Sequence, residues 1–288
     1  MRIASFCANG AASFGIVANN GVIDVPRHRP KLRVLADLLS EGFDDLAGLA
    51  ATASADLRQE EIQLLPPVVA PPRIICVGVN YADRNEEYRD QSGRPRFPSI
   101  FFRSTASMVG HGAALQRPRE SEQFDYEGEI ALVIGRGGRR IARQAACDHI
   151  AGLTLANDGS VRDWMRHGKF NVTQGKNFDR SGSLGPWLVT TDEFPRFDNL
   201  RLTTRVNGEL RQDDSTARLI FPFDYLIEYV STFMALLPGD IILTGTPSGA
   251  GARLDPPVYL QSGDRVQIEV AEIGLLENTV IDDTDSGA

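Results

Sequence analysis

The stretch FDYEGEIALVIG, residues 124–135, decides how the chain is read. Its second half is an unbroken apolar run of the length and composition of a core strand. Its first half carries Asp125, Glu127 and Glu129 at alternate positions. Successive side chains on a strand point to opposite sides, so the three acids are predicted on one face, with Glu127 and Glu129 roughly 6 to 7 Å apart. Like charges entering a core together need a counter-charge. Gly128 between them leaves room for another backbone or a ligand.

About thirty residues on, the apolar run IAGLTL ends in ANDGSVRDW, which places Asp158 at another strand end. TQGKNFD follows, with Lys176 behind a glycine. If the three carboxylates Glu127, Glu129 and Asp158 converge, with no Cys or His beside them, they make a hard-oxygen site. Such a site suits Mg²⁺ or Mn²⁺ better than Zn²⁺.

The rest of the sequence narrows the class. The chain has 288 residues and a formal net charge of −8, with an ordinary balance of apolar and charged residues. No Lys/Arg cluster is long enough to neutralise a phosphate backbone, which argues against a nucleic-acid partner. No apolar run approaches the ~18 residues of a membrane helix, and the first residues lack the apolar core of a signal peptide. Cys7, Cys76 and Cys147 lie far apart and read as reduced packing residues, so a cytoplasmic protein with no membrane partner is expected.

Residues 1–70 read as a small N-terminal α+β domain, with strand-like RIASFC, SFGIVAN and GVIDV and helix-like KLRVLADLLSEG. Pro66, Pro67, Pro71 and Pro72 make a stiff connector. Residues 71–288 carry mostly β signals: RIICVGVNY, SIFFRS, EIALVIG, GLTLAND, PWLVTT, RLTTRVNG and DRVQIEV. Helical patterns are few: ADRNEEYRD, ARQAACDH, VRDWMRHG and PFDYLIEYVSTFMALL, the last stopping at Pro238-Gly239. With no regular β-α alternation, the fold class is mainly β (α+β), with a few covering helices.

Seven segments in order carry a resemblance: VGVNYADRNEE, SEQFDYEGEIALVIGR, GLTLANDGSVRDW, QGKNFDRSGSLGPW, VNGELRQ, LLPGDIILTGTPSGAG and SGDRVQIEVAEIGLLENTV. Together they resemble the fumarylacetoacetate hydrolase family, from about Arg73 to the end. The resemblance implies that family's β-roll or sandwich, a homodimer, and Glu127, Glu129 and Asp158 as ligands of Mg²⁺ or Mn²⁺. It implies Lys176 as the active-site lysine, Arg162 as an arginine near the substrate, and Thr246 in the loop that closes over the substrate carboxylate. The substrate would be a small 2-oxo or 2,4-dioxo acid, polarised by the cation acting as a Lewis acid. The leading reaction is hydrolysis of a carbon-carbon bond of an acylpyruvate-type diketo acid.

One position departs from that pattern. Hydrolytic members of the family commonly carry a histidine and, three residues later, a glutamate on a short helix; here these are Arg84 and Glu87. Arginine stays protonated and cannot replace imidazole as a base. Either Glu87 is the base with Arg84 positioning it or the substrate, or the reaction needs no activated water, as in decarboxylation or isomerisation of a 2-oxo acid. A non-catalytic small-molecule binder is the third reading. Standing alone, Lys176 reads equally as a surface lysine, and Arg162 as a salt bridge to Asp163. Among the histidines, His111 reads as a turn residue near the site and is the one to test as a replacement base, and His28, His149 and His167 read as surface or helix-end residues. GTPSGAG lacks the GK[ST] ending of a phosphate loop and reads as a substrate-covering loop.

Overall fold

Strand Gly128–Ile134 is buried along its whole length and lies between Ile150–Asn157 and Ile241–Leu243 in an eleven-stranded sheet. The computed structural model describes residues 1–39, 42–83, 87, 93–168 and 171–284. Ile130, Leu132 and Ile134 enter one hydrophobic cluster, and Ala131 and Val133 enter another. A strand covered on both faces needs no polar alternation, which is why the run is unbroken in the sequence.

Along the large sheet the strands run Gly21–Asp24, Ala11–Ala18, Arg2–Ala8, Gly182–Thr190, Ile150–Asn157, Gly128–Ile134, Ile241–Leu243, Ile74–Val77 and Ile100–Arg103. A second, five-stranded sheet holds Glu209–Ser215, Arg201–Val206, Arg265–Val270, Gly274–Asp282 and Leu115–Arg117 in that order. Leu202, Val266, Ile268 and Leu276 of the second sheet share a core with Ile130, Leu132 and Leu155 of the first. Helix Phe223–Phe233 adds Leu226, Ile227 and Val230 to the same core. The protein is therefore mainly β, with packed sheets and few covering helices.

The first strand, in the segment before residue 70, pairs Arg2 with Val189 and Ile3 with Leu188. Ile3, Phe14 and Leu46 pack in one cluster with Ile74, Val133, Leu188 and Ile241.

Residues 124–135 do not form one strand. Phe124–Asp125 pairs with Ser160–Val161 in a separate ladder, and the large-sheet strand starts at Gly128. Side chains replace ladder bonds at the break: Tyr126 N donates to Asp125 Oδ1 at 2.9 Å, and Glu127 N to Asn157 Oδ1 at 3.0 Å. Asp125 is thereby out of register with Glu127 and Glu129.

The helical expectations hold unevenly. Within KLRVLADLLSEG only Ala36–Leu39 is an α-helix among the described residues. VRDWMRHG gives the 3-10 turn Trp164–Arg166 and ARQAACDH the 3-10 helix Arg143–His149. Most of ADRNEEYRD, Arg84 included, lies outside the described residues. The long helix ends at Phe233, before Pro238, because Met234 is extended at φ −139 and ψ 148.

All three cysteines are free, and Cys147 is exposed rather than packed. No helix among the described residues is long and apolar enough to cross a membrane.

Candidate active site

Glu127 and Asp158 meet because their strands pair. Gly128 lies opposite Asn157 in the ladder, and Asp158 N donates to Glu127 O at 2.8 Å just beyond it. Glu129 follows on the same strand, one residue past Gly128. One carboxylate oxygen from each of Glu127, Glu129 and Asp158 lies within 4.8 Å of the others, and all three residues are buried.

Gly128 is small because the second sheet presses against it. A Cβ there would stand 2.1 Å from Thr204 Oγ1. Its N–H donates to Gln212 Oε1 at 2.9 Å, and Gln212 Nε2 donates to Thr246 Oγ1 at 2.8 Å. The room left by the missing side chain is filled by the protein itself.

Three buried cations answer the acids. Lys176, at the end of the short helix Thr173–Lys176, donates from Nζ to Glu127 Oε2 at 2.6 Å, Asp158 Oδ2 at 2.7 Å and Asp158 O at 3.0 Å. Arg162 donates from Nη2 to Glu127 Oε1 at 2.7 Å and from Nε to Asp125 Oδ2 at 2.8 Å. Asp163 instead accepts from Ser121 Oγ at 2.6 Å, so the alternative reading of Arg162 as a salt bridge to Asp163 gives way to a buried pairing with Glu127 and Asp125. Arg103 donates from Nη1 to Asp158 Oδ1 at 2.6 Å. Glu129 has no such cation among the described residues; its Oε2 accepts from Gly245 N at 2.7 Å.

The electrostatics follow from burial and pairing. Burial, then the charges of Asp158 and Glu127, push the Glu129 carboxyl well above the usual range. Burial works against the charged form of Lys176, but Asp158 and Glu127 outweigh it and hold the ammonium above its ordinary value. Burial likewise opposes the Arg162 charge, and Glu127 and Asp125 more than compensate.

A cavity of about 190 Å³ opens onto this cluster, lined by Glu127, Glu129, Asp158, Arg162, Lys176 and Thr246 on its polar side and by Val77, Phe101, Met165 and Val172 on its apolar side. Its size suits a small acid rather than a drug-sized ligand. Arg162 Nη1 has only Met165 Sδ, at 3.8 Å, as a described contact. Thr246 Oγ1 donates to Gly128 O at 2.9 Å, so its hydroxyl braces the acidic strand.

Glu87 Oε1 accepts from Gly249 N at 2.7 Å, which ties it to the GTPSGAG loop. His111 lies apart from the cavity lining and accepts through Nδ1 from Glu277 N at 3.1 Å. His28 pairs with Asp56 at 2.8 Å, and His167 packs on Trp164 with ring centroids 4.5 Å apart. His149 sits at a helix end as expected, but it is buried, with Nδ1 2.6 Å from Arg136 O.

Arg103, Asp125 and Gln212 are the site residues that sequence reasoning missed. Asp125 accepts from Gly251 N and Ala252 N at 2.9 and 3.0 Å as well as from Arg162, so it anchors the end of GTPSGAG. The one available signal for Arg103 was a cation closing the apolar run SIFF.

The donor set fits a divalent cation. Four buried carboxylates, Asp125 included, face three buried cations, and the least compensated acid, Glu129, belongs to the oxygen triad. Oxygen donors without Cys or His fit Mg²⁺ or Mn²⁺.

Against oxaloacetate tautomerase FAHD2B, mitochondrial, of Bos taurus, the chain is 40% identical over 291 residues, covering 98% of this chain and 92% of the relative. Oxaloacetate tautomerase YisK of Bacillus subtilis is 39% identical over 251 residues, covering 86% and 81%. The solved maleylpyruvate hydrolase of Sphingobium sp. SYK-6 with manganese(II) and pyruvate superimposes with a TM-score of 0.80 at 26% identity, covering 99% of this chain and 100% of that one. The family model described as fumarylacetoacetate (FAA) hydrolase C-terminal matches residues 73–281. That span holds every member of the acidic triad and its three counter-cations: the chain belongs to the fumarylacetoacetate hydrolase family.

Proposed function

We propose that the protein is a divalent-metal-dependent tautomerase of a small 2-oxo acid of the oxaloacetate class, interconverting its enol and keto forms. The observation that carries this reading is the pairing of Lys176 Nζ with Glu127 Oε2 at 2.6 Å at the wall of a cavity whose described lining contains no histidine. A buried ammonium held against a carboxylate can give a proton to the carbon of a bound acid without activating water as a nucleophile. Bound at Glu127, Glu129 and Asp158, the cation would supply Lewis-acid polarisation of the keto oxygen.

The chain's own groups supply the rest. Arg162 lines the cavity, and Nη1 is its donor for the substrate carboxylate, since Nε and Nη2 are engaged by Asp125 and Glu127. In the enol-to-keto direction Lys176 Nζ gives a proton to the carbon. Solvent takes the enol hydroxyl proton and returns one to Nζ, so no proton is gained or lost overall. Val77, Phe101, Met165 and Val172 limit water at the reacting carbon. The relatives named oxaloacetate tautomerase support the same chemistry.

The test follows the decay of enol-oxaloacetate absorbance with the pure protein and Mg²⁺ or Mn²⁺, alongside CO₂ release and pyruvate release from acylpyruvates. Acceleration beyond the metal alone, without CO₂ or acylpyruvate cleavage, is expected. Acylpyruvate cleavage without enol–keto acceleration would instead establish carbon-carbon hydrolysis. One observation favours that second reading: Glu87, the expected base, is held against Gly249 in the loop that carries Thr246.

A further inference from the structure

Arg103 is wholly enclosed, with no side-chain exposure, and each of its N–H groups is directed at a protein acceptor. Nη1 donates to Asp158 Oδ1 at 2.6 Å and Gly159 O at 2.8 Å. Nη2 donates to Ser181 Oγ at 2.8 Å and Ser107 O at 3.4 Å, and Nε donates to Ser107 Oγ at 3.1 Å. The two serine hydroxyls donate away from it, Ser107 to Ser104 O at 2.8 Å and Ser181 to Phe178 O at 2.7 Å, so their lone pairs face the guanidinium. Gly182 makes the room: a Cβ there would stand 2.8 Å from Arg103 Nη2. No donor of Arg103 is left for a substrate.

The same arrangement recurs around the triad. Asp158 has Oδ1 taken by Arg103, Glu127 has Oε1 taken by Arg162, and Glu129 has Oε2 taken by Gly245 N. The second oxygens of Glu127 and Asp158, Oε2 and Oδ2, both accept from Lys176 Nζ, at 2.6 and 2.7 Å, and one oxygen of each triad member lies within 4.8 Å of the others. Three single-oxygen ligands suit a small octahedral cation, whereas Ca²⁺ takes more oxygens and often two from one carboxylate.

We propose that Arg103 is a positioning residue of the cation site, holding Asp158 by Oδ1 so that it serves through Oδ2 alone and thereby biasing the site towards Mg²⁺ or Mn²⁺ over Ca²⁺. This rests on the reading of Glu127, Glu129 and Asp158 as cation ligands. A planar fork fixed at five points does this, and a lysine reproduces only its charge.

The experiment is calorimetric titration of the metal-stripped full chain with Mn²⁺ and with Ca²⁺. In Arg103→Met, Mn²⁺ affinity should fall about tenfold or more, as for other residues that orient a ligand. Ca²⁺ affinity should fall less, so the preference for Mn²⁺ narrows. Arg103→Lys should recover part of the Mn²⁺ affinity and little of the preference. Ser107→Ala/Ser181→Ala keeps the cation but frees the far side of the guanidinium; it guards against a misfolded Met variant and should lose Mn²⁺ affinity severalfold. A folded Arg103→Met with wild-type affinities for both ions overturns the proposal alone, as does an unaltered serine double variant if Arg103→Met does not fold. Wild-type protein that binds neither ion overturns it together with the metal reading.

Discussion

Arg162 Nη2 donates to Glu127 Oε1 at 2.7 Å, leaving Oε2 of the same carboxylate to Lys176. Glu127 is thus bracketed by two buried cations while it faces Glu129 and Asp158. The bracket explains how like charges persist inside the fold: each buried charge has a partner and directed hydrogen bonds, without which it would cost several kcal/mol.

Replacing that carboxylate should dismantle the site. Glu127→Gln puts an amide between two donors, so one of them meets an NH₂ group instead of an oxygen. Binding of Mn²⁺ at millimolar concentration should disappear in calorimetry, and turnover should disappear with it. Wild-type activity in EDTA-treated, Mg²⁺-replenished buffer would mean that Glu127 is not a ligand.

Lys176 should matter to both stability and rate. Lys176→Met leaves Glu127 and Asp158 short of one cation, and breaking a buried pair typically costs ~3–5 kcal/mol. The melting temperature of the metal-stripped protein should therefore fall, and Mn²⁺ should restore part of the loss. Turnover at saturating metal should drop on the order of 10²-fold or more, the scale of one lost donor at developing charge. A variant as active as wild type would remove Lys176 from the mechanism.

The contact between Gly128 and Thr204 is testable by a double-mutant cycle. Gly128→Ala places a methyl where Thr204 Oγ1 stands 2.1 Å away, an overpacking expected to cost ~1–3 kcal/mol. Thr204→Ala removes that oxygen, which is buried without a hydrogen-bond partner among the described residues, so alone it should cost little. The double variant should regain much of the stability lost by Gly128→Ala in urea unfolding. Strict additivity would show that the two positions do not meet.

His111 gives a pH dependence of stability. Burial lowers its pKa, against the raising effects of Glu277 and a backbone hydrogen bond, and Nδ1 is the acceptor for Glu277 N. Below the ordinary imidazole value of ~6.5 the unfolded chain binds a proton that the folded chain resists, so stability falls as pH drops through that range and is fully present above it. Urea midpoints at pH 7.5 and 5.5 should differ more for wild type than for His111→Asn, and equal differences would sink the assignment.

Several site residues were legible because their local context is unusual. Glu127 and Glu129 precede an apolar run, Asp158 ends another, and Lys176 follows a glycine on a short segment; all converge as expected. Thr246 reaches the cavity, although its hydroxyl is spent on Gly128 O. The reading of residues 124–135 as one strand failed, because side-chain acceptors on Asp125 and Asn157 interrupt the ladder. That interruption sends Asp125 to Arg162 and to the loop after Gly249. Arg103 was hidden because its ion pair spans fifty-five residues, and no local pattern encodes such a distance.

The sequence by itself determined the mainly β architecture, the family and the identity of the three converging acids, since strand propensity, turn residues and motif order are local properties of the chain. Only the tertiary structure decided which cation answers which acid. Lys176 is shared by Glu127 and Asp158, Arg162 by Glu127 and Asp125, and Arg103 belongs to Asp158. Strand pairing brings these groups together from distant positions, and burial then makes the choice of partner matter.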